Sequence, residues 1–162
     1  SGEAPVEAVD AALASMNRLN DRAAAVALAA GATGATDVTG FGLLGHLGRA
    51  AIESGVDAEV DVAAVPVLPG ARELAAAGVV PGGSERNLAW IEERLDRGGC
   101  HEVDVVLLAD AQTSGGLLFG VEPGLAQGAV DELVASGHRA ATIGRVVEGD
   151  GALRLVEGQA TA

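Results

Sequence analysis

The sequence predicts an α+β domain in which a mixed β-sheet is covered by helices. Segments with apolar residues at three- and four-residue steps alternate along the chain with short alternating or β-branched runs, the pattern of a helix-covered sheet. The length, 162 residues, suits one domain that buries a core without disulfides or metal. Hydrophobic residues make up 49% of the chain and aromatic ones only 2%, so Ala, Val and Leu must fill that core.

The elements follow in order. Residues 5 to 31 read as helix, with Pro5 in the first turn and Val6, Val9, Leu13, Met16 and Leu19 at helical steps. Asn20 and Asp21 can split this into two helices, the second stopped by Gly31. "ATDV" is short and extended, and "FGLLGHLGRAAIES" returns to helical spacing before Gly55. "VDAEVDVAAV" alternates Val56, Ala58, Val60 and Val62 as a strand does. After the Pro66 and Pro69 turn comes a helix over "ARELAAAG". "GVVPGGSERN" is expected as an exposed loop, with Ser84 capping a helix that runs through Trp90 to Leu95. Glu92, Glu93 and Asp96 are spaced as its solvated face. "VDVVLLAD" is β-branched and reads as a buried strand. "GLLFGVE" is a further strand, Pro123 opens a helix stopped by Gly137, and the tail reads as a hairpin around Gly149, Asp150 and Gly151.

Charge narrows the function classes. Twenty-three acids face 10 bases, a net charge of −13. The Arg residues are scattered from Arg18 to Arg154 and no Lys is present, which argues against nucleic acid or an acidic membrane as partner. No apolar run reaches the roughly 18 residues of a membrane span. One cysteine, Cys100, forms no internal disulfide and fits a reducing, cytoplasmic compartment. The chain opens on Ser1 and Gly2 rather than Met, which reads as a tag scar or a cut from something longer.

Asp37 is the leading chemical candidate. It stands in "GATGATDVTGFGLLGHLGRA", a carboxylate among glycines just before a helix. Glycines let backbone approach a ligand, helix N–H groups attract an anion, and a carboxylate beside an anion commonly shares a divalent cation with it. The other reading is that Asp37 or Thr39 caps the helix. "QTSGG", residues 112 to 116, reads either as a phosphate nest of hydroxyls and glycines or as a tight strand-to-strand turn. Without a Lys it is not a P-loop. His46 falls on an apolar helix and reads as a packed, hydrogen-bonded residue. Cys100 and His101 do not make a zinc site, Cys100 reads as structural or exposed, and His138 reads as a surface residue at a helix end.

Taken in order, "MNRLN", "TDVTGFGLLGHL", "LPGARELAAAGVVPGGSERNL" and "DAQTSGGLL" resemble the C-terminal half of selenophosphate synthetase (selenide, water dikinase). "TDVTGFG" is shared more loosely with the aminoimidazole ribonucleotide synthetase superfamily. The resemblance runs from about Ala12 to the final strands and implies that superfamily's C-terminal-domain fold. It also implies transfer of phosphate from ATP to selenide, giving selenophosphate, AMP and phosphate. In the family the acid of "TDVTGFG" is a magnesium ligand, here Asp37, while Thr113, Ser114, Gly115 and Gly116 are candidates for nucleotide contact.

The family's glycine-rich segment, reactive Cys or selenocysteine, catalytic Lys and three further metal-binding Asp residues belong to an N-terminal half. Residues 1 to 162 contain none of these. The expectation is therefore a single C-terminal domain with no catalytic residue of its own, inactive alone and binding no Mg²⁺ or ATP by itself. The full enzyme is expected to be a homodimer using Mg²⁺ and ATP. Cys100 has no claim on the nucleophile's role, and Ala111 stands where many members carry Pro. Phe41, Leu43 and Leu44 are expected to face the other half. Two alternatives are another superfamily enzyme, acting on a purine precursor or thiamine phosphate, and a stand-alone non-catalytic module.

Overall fold

A computed structural model describes residues 4–158. Helix α1 (Val6–Met16) and helix α2 (Asp21–Ala29) are separate, as the Asn20 break predicts. Strand β1 (Gly34–Asp37) leads into α3 (Gly42–Ser54), which ends on left-handed Gly55. Then come β2 (Val56–Asp61), α4 (Ala71–Ala76), α5 (Gly82–Ile91), β3 (Leu95–Asp96), α6 (Glu102–Leu108) and β4 (Leu117–Gly120). Helix α7 (Pro123–Ala135) and strands β5 (Gly144–Glu148) and β6 (Leu153–Val156) complete the chain.

The strands form two sheets. Four lie in the order β3-β6-β2-β5, with β2 antiparallel to β5 and parallel to β6, and β3 parallel to β6. One face of this sheet meets α3, α5 and α6, burying Leu44, Val60, Ile91, Val105, Leu153 and Leu155 almost completely. At about 1.5–3 kcal/mol for each large side chain, this cluster is the main apolar contribution to stability. The opposite face carries a charge row across all four strands, Arg145–Glu59–Arg154–Asp96, joined by ion pairs. Strands β1 and β4 pair antiparallel as a second sheet. A smaller cluster beside it joins α2 to α7 through Ala23, Val26, Ala129 and Leu133, with Leu117 and Phe119 packed on them.

The mixed sheet under helices agrees with the expected class, but several elements depart from expectation. The tail is not a hairpin: β2 lies between β5 and β6. The reason is Asp57 of β2, whose Oδ1 accepts the N–H groups of Asp150, Gly151 and Ala152 at 2.9, 3.1 and 2.8 Å. The connection wraps this carboxylate instead of folding back on itself. Gly149 lies so close that a Cβ there would be 1.9 Å from the Asp57 carboxyl carbon. The three amide bonds hold the Asp57 pKa below its usual 3.8.

"VDVVLLAD" is helix, not strand. A short run buried at Asp104, Val105 and Leu108 looks alike in either conformation by apolarity alone. The helix is started by His101, whose Nδ1 accepts from Val103 N–H, and it aims Asp104 at Arg72 of α4. Of the expected loop, "GGSERN" is the start of α5. Its N-cap is Pro81, and Ser84 is buried inside the first turn. The helix stops at Ile91, and Glu92, Glu93 and Arg94 form a 3-10 turn. Asp96 therefore sits on a strand and not on a helix face. The expected strand over 56–65 ends at Asp61, where its side chain accepts from Ala63 N–H and opens a 3-10 turn.

Candidate functional site

Asp37 is the last residue of β1, opposite Leu117 of β4, and is exposed. Antiparallel pairing continues one residue further, with Val38 N–H donating to Gly116 O at 2.9 Å. That extension places Asp37 beside the "QTSGG" segment, which connects α6 to β4. The strand-to-strand turn expected there is thus a helix-to-strand connection.

Asn20, in the break between α1 and α2, ties the two segments together. Its Nδ2 donates to Asp37 Oδ1 and to Gly115 O, both at 3.0 Å. Gly115 must lack a side chain, since a Cβ there would fall 2.2 Å from Val38 O. Among the described residues, Asp37 Oδ2 has no hydrogen-bond partner.

The segment after Asp37 is held from three sides. Thr39 O accepts from Gly42 N–H at 2.9 Å and from Gln112 N–H at 3.0 Å. Thr39 N–H donates to His46 Nε2 at 3.0 Å, and the other ring nitrogen lies 3.4 Å from Thr36 Oγ1. Asn87 of α5 donates to Gly40 O at 2.9 Å and to Ala109 O at 3.0 Å. Ser84 Oγ donates to Asp110 Oδ1 at 2.6 Å. Gly42 adopts φ +67°, and a Cβ there would lie 2.6 Å from the Ala109 carbonyl. Four stretches far apart in sequence therefore meet: the "MNRLN" end, the "TDVTGFGLLGH" turn, the start of α5, and residues 109 to 116.

The helix-cap reading of Asp37 is not what the structure shows. The N-cap of α3 is Phe41 with no side-chain cap, and Thr39 serves it only through its backbone oxygen. Thr113 and Ser114 are exposed, and Ser114 takes a left-handed backbone at φ 57°. The carbonyls of Gly115 and Gly116 are already committed to Asn20 and Val38. No group of three or more His, Cys, Asp and Glu side chains among the described residues is placed to hold a metal ion. Asp37 offers one hard oxygen donor, and a cation there would need further donors from elsewhere.

The other candidates fall into place. His46 is half-buried and hydrogen-bonded, as its position on an apolar helix predicts. Cys100 is half-buried against the main core, and burial, then Glu157 and Asp104, push its thiol pKa up, which disfavours the nucleophilic thiolate. His138 is half-buried rather than fully on the surface, with Nδ1 3.0 Å from Ser136 Oγ. Of the expected partner-facing apolar residues, Phe41 is 66% exposed, Leu43 is half-buried and Leu44 is wholly buried. Leu44 points into the main core, because it lies on the inner side of α3 with Ala51. A hollow of about 330 Å³ lined by Val62, Arg72, Asp104 and Glu157 shares no residue with the Asp37 turn. No helix among the described residues is long and apolar enough to cross a membrane.

Sequence reasoning gave Asn20 and Ser84 only local roles, as a helix break and a helix cap, and gave Asn87 and Asp110 no role in the site. The available signal was local: polar side chains inside otherwise apolar or glycine-rich blocks, at element junctions where side chains commonly bind backbone.

The same blocks carry the relationship to known proteins. The family described as AIR synthase related protein, C-terminal domain, matches residues 2–156. The chain belongs to that family. It is 41% identical over 152 residues to selenide, water dikinase of Porphyromonas gingivalis, which is 93% of this chain and 43% of that protein. It is 42% identical over 123 residues to selenide, water dikinase of Trichlorobacter lovleyi, 76% of this chain and 36% of that protein. A similar level, 42% over 133 residues, holds for the protein of that name from Nitratidesulfovibrio vulgaris. The chain thus spans about two fifths of the length of these relatives.

Proposed function

We propose that this chain is the C-terminal domain of a selenide, water dikinase, an ATP-dependent phosphotransferase that makes selenophosphate from selenide. The observation that carries this reading is the convergence of all four family-like blocks on the Asp37 turn. Similarity to the Porphyromonas protein over 93% of the chain supports it. An N-terminal half supplies the glycine-rich segment, the Lys, the nucleophile and the remaining acids. Exposed Phe41 beside the turn suits contact with that half, as does the Val6, Val9 and Leu13 stripe of α1, a helix with no buried residue.

The site fits one share of a magnesium–nucleotide complex. Mg²⁺ is commonly held by one or two carboxylates plus substrate phosphates, and Asp37 presents an exposed carboxylate whose Oδ1 is held by Asn20 and whose Oδ2 is open among the described residues. The metal, when bound, neutralises phosphate charge and aligns the transferring group. The chain's own part is to fix the Asp37 carboxylate and to bring the backbone of Gly115 and Gly116 beside it, with Thr113 and Ser114 in reach of a nucleotide. The 162-residue chain alone is inactive. The full enzyme is a cytoplasmic homodimer using Mg²⁺ and ATP.

The test is a chimera in which this chain replaces the matching 43% of the Porphyromonas enzyme. Phosphorus NMR is expected to show selenophosphate, AMP and phosphate forming from ATP, selenide and water with Mg²⁺. Asp37→Ala in the chimera is expected to lower the rate by about two to three orders of magnitude, the scale on which one charge-stabilising group acts. Full activity in that variant, or ATP turnover by the 162-residue chain alone, would overturn the reading. ATP consumption only with a purine precursor or thiamine phosphate would move the chain to another branch of the superfamily.

A further inference from the structure

We infer that His46 is a positioning residue for Asp37, a clamp that braces the acid's turn from the following helix. The inference rests on the reading of Asp37 as a cation ligand and adds a part for a side chain that touches neither cation nor nucleotide.

His46 sits one turn into α3, yet it reaches back across the chain to the residues on both sides of Asp37. Thr39 N–H points at Nε2 from 3.0 Å, with Thr39 Oγ1 also at 3.0 Å. A donor N–H aimed at a ring nitrogen requires a bare lone pair there. The ring proton is then on Nδ1, facing Thr36 Oγ1 at 3.4 Å. One imidazole spans Thr36 and Thr39, with Asp37 and Val38 between them.

Two consequences follow from this geometry. With Nε2 engaged, His46 is neither a metal ligand nor a general base in this arrangement. Among the described residues the Thr39 N–H has no acceptor other than His46 Nε2, so it depends on His46. The ring itself is steadied by Phe41, whose centroid is 5.7 Å away at a 58° tilt. The Phe41 Cβ would lie 2.7 Å from any Cβ added at Gly45, so small residues in α3 leave the space in which this pair sits. A carboxylate that shares a cation with a flexible phosphate chain gains from such bracing, because looseness at the ligand lowers the fraction of time it is correctly placed.

The chimera described above, isotope-labelled for NMR, serves for the test, with Mn²⁺ as the probe, because a cation at Asp37 draws its other donors from the N-terminal half. In the wild type, millimolar Mn²⁺ is expected to broaden the amide signals of Asp37, Val38, Thr39 and Gly115 first. His46→Leu keeps bulk but removes the acceptor. It is expected to speed Thr39 amide exchange by about tenfold, the factor for one net hydrogen bond, and to move the Mn²⁺ midpoint up several-fold. His46→Gln, whose Oε1 can accept the same N–H, is expected to restore both in part, a rescue that lost packing alone does not give. Unchanged β2 and β5 amide signals report whether each variant is folded. Unaltered Thr39 exchange and an unaltered Mn²⁺ midpoint in His46→Leu would overturn the clamp. Failure of the Gln variant to rescue, with both variants folded, would do the same. No Mn²⁺ broadening near Asp37 in the wild type would overturn the cation reading itself, while Thr39 exchange still decides whether the clamp exists.

Discussion

Gly42→Ala offers a demanding test of how the Asp37 turn is built. Gly42 opens α3 at φ +67°, and an added Cβ meets Ala109 C and O at 2.6 Å and Asp110 O at 2.8 Å. Ordinary van der Waals contact begins near 3.4 Å, so something must move by most of an ångström. The obstructing atoms are backbone and have little freedom. Ala109 is fully buried and its carbonyl accepts from Asn87, while Asp110 is held by Ser84. A left-handed backbone costs a non-glycine residue about 1–2 kcal/mol, and overpacking a well-filled site costs about 1–3 kcal/mol more. The expected loss is therefore about 2–5 kcal/mol, a large part of the roughly 5–15 kcal/mol that holds a domain folded. Urea unfolding of both proteins measures it. Gly40→Ala is the control, since nothing lies within 4 Å of its added Cβ and its φ is not positive, and it is expected to be near neutral. A loss below about 1 kcal/mol for Gly42→Ala, with native amide signals at Gly40 and Ala109, would show that the α3–loop contact is not the constraint described.

Other expectations follow from single contacts. In Asp57→Asn the charge that gathers the three amides of the β5–β6 connection is lost. Because the folded pKa lies below the unfolded 3.8, the carboxylate's contribution is fully present above 3.8 and vanishes as pH falls through the folded value. The stability gap between wild type and variant is expected to be constant near neutrality and to close in acid, and a gap that widens in acid would refute the assignment. Ser84→Ala deprives half-buried Asp110 of its 2.6 Å donor and is expected to cost about 1.5–3 kcal/mol, as for a hydrogen bond to a charged group, measured by thermal or urea unfolding.

How much of this was readable beforehand depends on the range over which each feature is decided. The split between α1 and α2, the helix after Gly40, the glycine stops at Gly55 and Gly137 and the strand before Pro123 are properties of adjacent residues, set by backbone preference and apolar period. Asp37 stood out for the same reason, as a charge among glycines. Features settled by distant partners were out of reach. Residues 102 to 108 are helical because a helix lets Asp104 meet Arg72 while Val105 and Leu108 enter the core. The last two strands part because Asp57, 93 residues earlier than Asp150, offers their connection a better acceptor than the two strands offer each other. The contacts that hold the Asp37 turn, Asn20 to Asp37, His46 to Thr36 and Asn20 to Gly115, likewise span 17, 10 and 95 residues of chain. Local propensity acts over a few residues, whereas hydrogen bonds and excluded volume act between whatever the fold brings together. The sequence alone therefore determined which acid to watch, and only the tertiary structure decided what holds it.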